Sequence, residues 1–289
     1  MTNKTENGLK IRRWVQIGST LAGNGYLKGF KTGNIYQSFK TGNFEWSLKK
    51  GCVPFLNCYS CPGALFSCPI GAIQNAVAEA QGKFDINAIP YLVIGFLMLV
   101  GSLIGRAICG WACPFGFFQD LLNKIPSKKF KGFNWLSYIK YVVLILFVFV
   151  LPMFWLDDYG FSNGPDFCKY ICPAGTLEGG IPLVLLQPDL RLQLGKLFVW
   201  KVSLLVLLLV LSVFFKRPFC RWICPLGAFY GPFNKISLKQ IKINKDTCVN
   251  CGKCSKVCPM DLNVPKEINS TDCIRCFDCK DECPVKAIN

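Results

Sequence analysis

The sequence predicts an all-α multi-pass membrane domain, with three to four transmembrane helices and an internal duplication, followed by a small α+β domain. Three observations predict it. Three apolar runs are long enough to cross a bilayer, a cysteine-proline motif recurs at an offset of 111 residues, and residues 238–289 hold two cysteine runs of identical spacing.

The apolar runs are 86–105, 136–156 and 197–215, each near the roughly 20 residues a membrane helix needs. Lys140 and Lys201 lie near the starts of the last two, where a long side chain can snorkel to the interface. A fourth candidate, Trp14 to about Tyr36, is interrupted by Asn24, Lys28 and Lys31, and no clean signal-peptide core follows Arg12 and Arg13. Residues 179–188 are too short to span and read as a half-helix. Arg106, Lys124, Lys128, Lys129 and Lys131 in one connection, and Lys216, Arg217 and Arg221 after the last span, place those ends in the cytosol. The acidic connection 157–195 and the stretch 52–68 then fall outside, and the tail is cytosolic.

The composition narrows the chemistry. The 289 residues include 18 Cys and no His, with a net charge of +16. Without imidazole there is no haem or zinc ligation by His and no His-based acid or base, so cysteine carries the chemistry. The spacings argue for thiolate ligands in a reducing compartment rather than disulfides of a secreted protein.

The two tail runs are Cys248-x2-Cys251-x2-Cys254-x3-Cys258-Pro259 and Cys273-x2-Cys276-x2-Cys279-x3-Cys283-Pro284. This is the bacterial two-cluster ferredoxin pattern, in which the fourth cysteine of each run ligates the other [4Fe-4S] cluster. One cluster is expected at Cys248, Cys251, Cys254 and Cys283, and the other at Cys273, Cys276, Cys279 and Cys258. The division is a transmembrane iron-sulfur domain, 1–237, and a ferredoxin domain, 238–289.

The membrane motif is C-x3-C-P-x-G, at Cys109/Cys113 and Cys220/Cys224, with a related copy at Cys168/Cys172. Residues 109–125 and 220–236 agree at nine of 17 positions, each directly after an apolar run, as expected of two repeats related by an axis along the membrane normal. Facing half-sites supply four thiolates, so Cys109, Cys113, Cys220 and Cys224 are expected to bind an inner membrane-edge cluster, with a structural zinc as the competitor. For the outer side the expected set is Cys61, Cys68, Cys168 and Cys172. Cys52 and Cys58 remain as alternative ligands, part of a further centre, or a disulfide. Trp111, Tyr170 and Trp222 in the motifs read as interfacial belt residues or cluster shields. Each cluster with its thiolates carries about −2, so several clusters would cancel much of the positive charge and weaken a nucleic-acid reading.

The stretch NCYSCPGALFSCPIGAIQ (57–74), the CGWACPFG and CRWICPLG repeats and the double tail run together resemble the membrane-bound polyferredoxin family. Its relatives include the quinol-oxidising membrane subunit of periplasmic nitrate reductase systems and the ferredoxin part of the nitrous oxide reductase accessory protein. The resemblance implies electron transfer through [4Fe-4S] clusters between a cytosolic or quinone donor and extracytoplasmic redox partners; the expected external acceptor is a flavoprotein or an iron-sulfur protein. It implies an electron carrier or oxidoreductase subunit in the cell membrane, in contact with lipid. The alternatives are a quinone oxidoreductase subunit and a redox sensor or assembly factor.

Overall fold

A computed structural model describes residues 3–25, 51–58, 60–79, 90–155, 164–188, 191 and 194–288. Helix α1 (Asn3–Asn24) leads into the cysteine-rich loop 51–68 and helix α2 (Pro69–Glu79). Helix α3 (Tyr91–Ile104) is followed by a short α4 (Ala107–Trp111) and by α5 (Pro114–Leu122). Helix α6 (Trp135–Phe154), α7 (Pro173–Leu186) and α8 (Lys196–Phe214) come next. The second motif then folds like the first, as α9 (Pro218–Trp222) and α10 (Pro225–Tyr230), and α11 (Phe233–Ile236) leads to the tail.

Among the described residues two helices are long and apolar enough to cross a membrane: α6, of 20 residues with mean hydropathy 2.2, and α8, of 19 residues with mean hydropathy 2.6. Their outward side chains are bare apolar groups, Val142, Ile145, Val199, Val206 and Leu207 among them. So wide an apolar surface belongs against lipid. Helix α3 describes only 14 residues of the first apolar run, about 21 Å at 1.5 Å per residue against a core of about 30 Å; the start of that run lies outside the described residues. The segment from Trp14 to Tyr36 is helical as far as Asn24, and beyond residue 25 it too lies outside them. Within α6 the ladder loosens to π-helix over Leu144–Val150, just before Pro152, which has no N–H to continue the regular bonding.

Lys140 and Lys201 do not snorkel. Lys140 is fully buried and pairs with Asp272 of the tail, and Lys201 turns inward to the carbonyl of Cys168 at 3.0 Å. Each finds an inward acceptor, which removes the reason to reach for the interface.

The tail (residues 238–288) carries three short helices, α12 (Lys253–Val257), α13 (Val264–Glu267) and α14 (Asp278–Asp281). Among the described residues there is no strand; the expected β part is a single antiparallel bridge, Ile243–Ile288. The chain is spent instead on turns around the cysteines. Left-handed residues recur at an offset of 25: Asn250 and Gly252 in the first run, Arg275 and Phe277 in the second, and Asp261 and Lys286 after each proline. Non-glycine residues persist in that region only where their surroundings fix them, commonly at functional loops.

The tail is docked on the membrane part. Arg12 donates to Asp278 at 2.6 Å, Arg106 to Asp272 at 3.1 Å, and the Trp111 indole to the carbonyl of Arg275 at 3.0 Å. Asn234 donates to the carbonyls of Ser270 and Cys273, at 2.8 and 2.6 Å.

Candidate metal centres

Two cavities in the tail each gather cysteines from both runs. One is lined by Cys248, Cys251, Cys254 and Cys283, with Ile243, Val249, Val285 and Ile288. The other is lined by Cys273, Cys276, Cys279 and Cys258, with Met260, Leu262, Val264 and Ile274. The fourth cysteine of each run therefore sits with the first three of the other; the second site is walled by buried Met260, Leu262, Val264 and Ile274, while the first is more open, with Cys251 and Val249 exposed.

In the membrane part the motif has one backbone form. The second cysteine precedes a proline that opens a helix, the position where the missing N–H costs nothing: Cys68 before α2, Cys113 before α5, Cys172 before α7 and Cys224 before α10. Gly175 and Gly227 donate their N–H groups to the sulfurs of Cys172 and Cys224 at 3.3 and 3.4 Å, so the thiol is the helix cap. Between the paired cysteines the chain closes a five-residue turn: the N–H of Cys113, Cys172 and Cys224 bonds to the carbonyl of Ile108, Phe167 and Phe219, at 3.2, 2.9 and 2.9 Å. The two cysteines are thus not on one continuous helical face; the break turns the second toward the first.

Cys109, Cys113, Cys220 and Cys224 are buried in one core, 4–8% exposed. Burial pushes their thiols up, and for Cys113 and Cys224 the neighbouring thiols add to it. Two arginines, 111 residues apart as their cysteines are, face this set. Arg106 donates to the carbonyl of Cys220 at 2.5 Å, and Arg217 to the carbonyl of Cys109 at 3.0 Å. The motif glycines make room for them: a Cβ at Gly227 would overlap the Arg106 guanidinium, and one at Gly116 would stand 3.4 Å from that of Arg217. Gln119 donates to the Cys220 sulfur at 3.1 Å and accepts from the Phe219 N–H at 3.2 Å.

These residues fit a polynuclear cluster. Among the described residues no three Cys, Asp or Glu side chains converge on a single ion, whereas a cubane takes each thiolate at a different iron. Cations outnumber carboxylates around it, even with Asp278 as a second partner of Arg12. Asp120 serves Arg12 and Arg217, Asp272 serves Arg106 and Lys140, and Asp261 serves Lys216 and Arg221. The surplus positive charge suits an anionic group at the thiolates.

A further cavity, of about 610 Å³, is lined by Cys58, Cys68, Cys168 and Cys172. Cys61 is buried beside it in the turn that its N–H closes to the Cys58 carbonyl, and Cys52 lies 3.5 Å from the Ser67 hydroxyl. None of the eighteen cysteines is in a disulfide. The structure thus brings Cys68, Cys168 and Cys172 together as the sequence suggests, with Cys58 rather than Cys61 beside them.

The centres lie close to one another. Along α1, Arg12 reaches the tail, Gln16 and Ser19 donate to the carbonyls of Gly110 and Ala112 at 2.9 and 2.8 Å, and Gly23 accepts from Leu65 of the cysteine-rich loop at 2.9 Å. From Arg12 to Gly23 is about 16 Å of helix. Tyr230, fully buried in the helix after Cys224, donates to the carbonyl of Pro54 in the cysteine-rich loop at 3.1 Å and lies within electrostatic reach of Cys109, Cys52 and Cys68.

Sequence comparison matches residues 86–132 and 197–244 to a 4Fe-4S binding domain, and residues 240–284 to a 4Fe-4S dicluster domain. An uncharacterized protein of Methanocaldococcus jannaschii is 33% identical over 213 residues, covering 70% of this chain and 76% of the relative. The chain belongs to the polyferredoxin-type family of electron-transport proteins. Other relatives in this family are the putative electron transport protein YccM of Escherichia coli, 25% identical over 218 residues (69% of this chain, 55% of the relative), and the methylamine utilization ferredoxin-type protein MauN of Methylorubrum extorquens, 30% identical over 172 residues (58% and 51%). The chain therefore spans little more than half of these two. No solved structure matches it. As a polyferredoxin-type protein it is an electron-transfer iron-sulfur protein that carries [4Fe-4S] clusters.

Several residues around these centres escaped the sequence reading. Gln74 and Gln119 each stand six positions after a Cys-Pro cysteine, a signal present in the sequence but masked by differing letters, since the other two motifs place Glu178 and Tyr230 there. Trp111 and Trp222 are turned into the protein rather than arrayed as a lipid-facing belt, Trp222 packing edge-on to Phe215 with ring centres 5.4 Å apart.

Proposed function

We propose that this polyferredoxin-type protein passes electrons across the cell membrane, from a cytosolic donor at the tail to an extracytoplasmic acceptor, through clusters at the two tail sites and at Cys109, Cys113, Cys220 and Cys224. When bound, each [4Fe-4S] cluster takes up and releases one electron. The observation that carries the reading is the position of Arg217. Buried and paired to Asp120 at 2.5 Å, it lies within electrostatic reach of Cys220 of the membrane site and of Cys276 of the tail. One cation thereby faces two neighbouring centres and favours the reduced state of both.

The remaining residues position and insulate. Ile274 packs against Gly110, where a Cβ would stand 2.6 Å from its carbonyl, so the second tail run and the first membrane motif meet backbone to backbone. Phe115 and Phe219, edge to face at 5.0 Å, pack in the same buried core as the four membrane-site cysteines. The Lys and Arg bias of the connections supports a cytosolic tail, with residues 1–237 as the membrane domain and 238–289 as the ferredoxin domain.

Vesicles carrying the fully loaded protein and enclosing a reduced soluble ferredoxin should reduce an external, membrane-impermeant acceptor. Failure with intact clusters would reject the transmembrane route. Cluster reduction by a quinol, with no transfer across the vesicle wall, would make the protein a quinone oxidoreductase subunit instead.

A further inference from the structure

The cavity lined by Cys58, Cys68, Cys168 and Cys172 reproduces the membrane site contact by contact. Gln74, six residues after Cys68, donates to the Cys168 sulfur at 3.6 Å, as Gln119, six residues after Cys113, donates to that of Cys220 at 3.1 Å. The Gln74 carbonyl oxygen accepts from the Phe167 N–H at 2.9 Å, and that of Gln119 from the Phe219 N–H at 3.2 Å. Gly175 caps onto Cys172 as Gly227 caps onto Cys224. A cation binds the carbonyl of the leading cysteine in each, half-buried Lys201 on Cys168 and buried Arg106 on Cys220. Cys68, Cys168 and Cys172 thus stand where Cys113, Cys220 and Cys224 stand.

The fourth place differs. Four residues before Cys68, where Cys109 precedes Cys113, the chain has Ala64. Cys58 fills the gap from a different point of the loop. Its sulfur lies 3.8 Å from the Gly175 carbonyl, and a Cβ at Gly175 would be 3.7 Å from both the Cys58 and the Cys172 sulfurs. Glu178, the residue six after Cys172, fixes the loop by accepting from the Cys58 N–H at 2.9 Å, and Asn57 fastens it to the Phe66 carbonyl at 2.9 Å. The thiols line open space rather than pairing as disulfides, and that space has the size of a cofactor site rather than of one ion.

We propose that Cys58, Cys68, Cys168 and Cys172 bind a fourth [4Fe-4S] cluster, with Gln74 positioning Cys168 as Gln119 positions Cys220. Neither matched iron-sulfur domain reaches these residues. The inference rests on the cluster reading of the membrane motifs and extends the route beyond Tyr230.

Iron and acid-labile sulfide counts on the purified full chain test it without any substitution: about 16 irons are expected, against about 12 if only the tail and first membrane sites load. C58S, C68S, C168S and C172S should each lose about four irons, whereas C61S and C52S should lose none. Q74L should keep the iron but shift the EPR-monitored potential of one cluster only. A count of about 12 in the parent protein, unchanged in C68S, overturns the fourth site and leaves the other three intact. Loss of iron in C61S with none in C58S overturns the ligand set. If C113S also keeps its full iron, the membrane-motif reading fails with it.

Discussion

Arg106 donates to the main-chain carbonyl of Cys220 at 2.5 Å, and the same bond recurs with the halves exchanged, Arg217 to Cys109 at 3.0 Å. Each repeat thus clamps the cysteine loop of the other with a buried cation. Replacing either arginine with Gln removes a positive charge close to the membrane site and should lower that cluster's potential by on the order of 100 mV. EPR-monitored redox titration of R106Q and R217Q reads the shift; an unchanged potential in both would show that these cations only brace the backbone.

The clamp leaves no space for a side chain at the motif glycine. In G227A the new methyl group meets the Arg106 guanidinium, so the arginine must leave Cys220. Loss of about four irons per chain is expected, while G95A, in open space on α3, should retain full loading. Iron analysis of the two variants side by side makes the comparison.

Asp272 accepts from two buried cations, Arg106 and Lys140. D272N leaves both without a counter-charge, a change that typically costs about 3–5 kcal/mol. The tail should come loose, which limited proteolysis between residues 237 and 248 would detect. D278N should do less, because Arg12 keeps a second partner in Asp120 at 3.2 Å.

Tyr230 fills the space between the membrane site and the cysteine-rich loop. Y230F gives up one hydrogen bond, to Pro54, and should cost about 1 kcal/mol with electron transfer intact. Y230A opens a void at a fully buried position, at about 3–5 kcal/mol by analogy with other large aromatic truncations. It should slow transfer to any acceptor beyond that point. Thermal loss of cluster absorbance and stopped-flow reduction separate the two effects.

Much of this arrangement is legible in the sequence where spacing alone sets geometry. The tail cysteines fall into two groups because three closely spaced thiols can wrap one cubane while the fourth cannot reach it. The offset of 111 residues carries Arg106 onto Arg217 as surely as Cys109 onto Cys220, yet arginines beside a span read first as orientation signals. Cys58 could not be separated from Cys61, because the choice depends on how Asn57 and Glu178 bend a loop with no periodicity. The burial of Lys140 was equally hidden: its partner, Asp272, lies 132 residues away.

The sharing of carboxylates has a consequence for how the molecule is made. Asp120, Asp261 and Asp272 each answer two cations, so the finished interior is electrically complete only once anionic clusters are in place. Before loading, Arg106 and Arg217 each share their carboxylate with a second cation, Lys140 and Arg12, so the docked tail rests against surplus positive charge. Cluster loading is therefore expected to tighten the docking of the tail, and limited proteolysis should cut an iron-depleted chain there faster than the loaded protein.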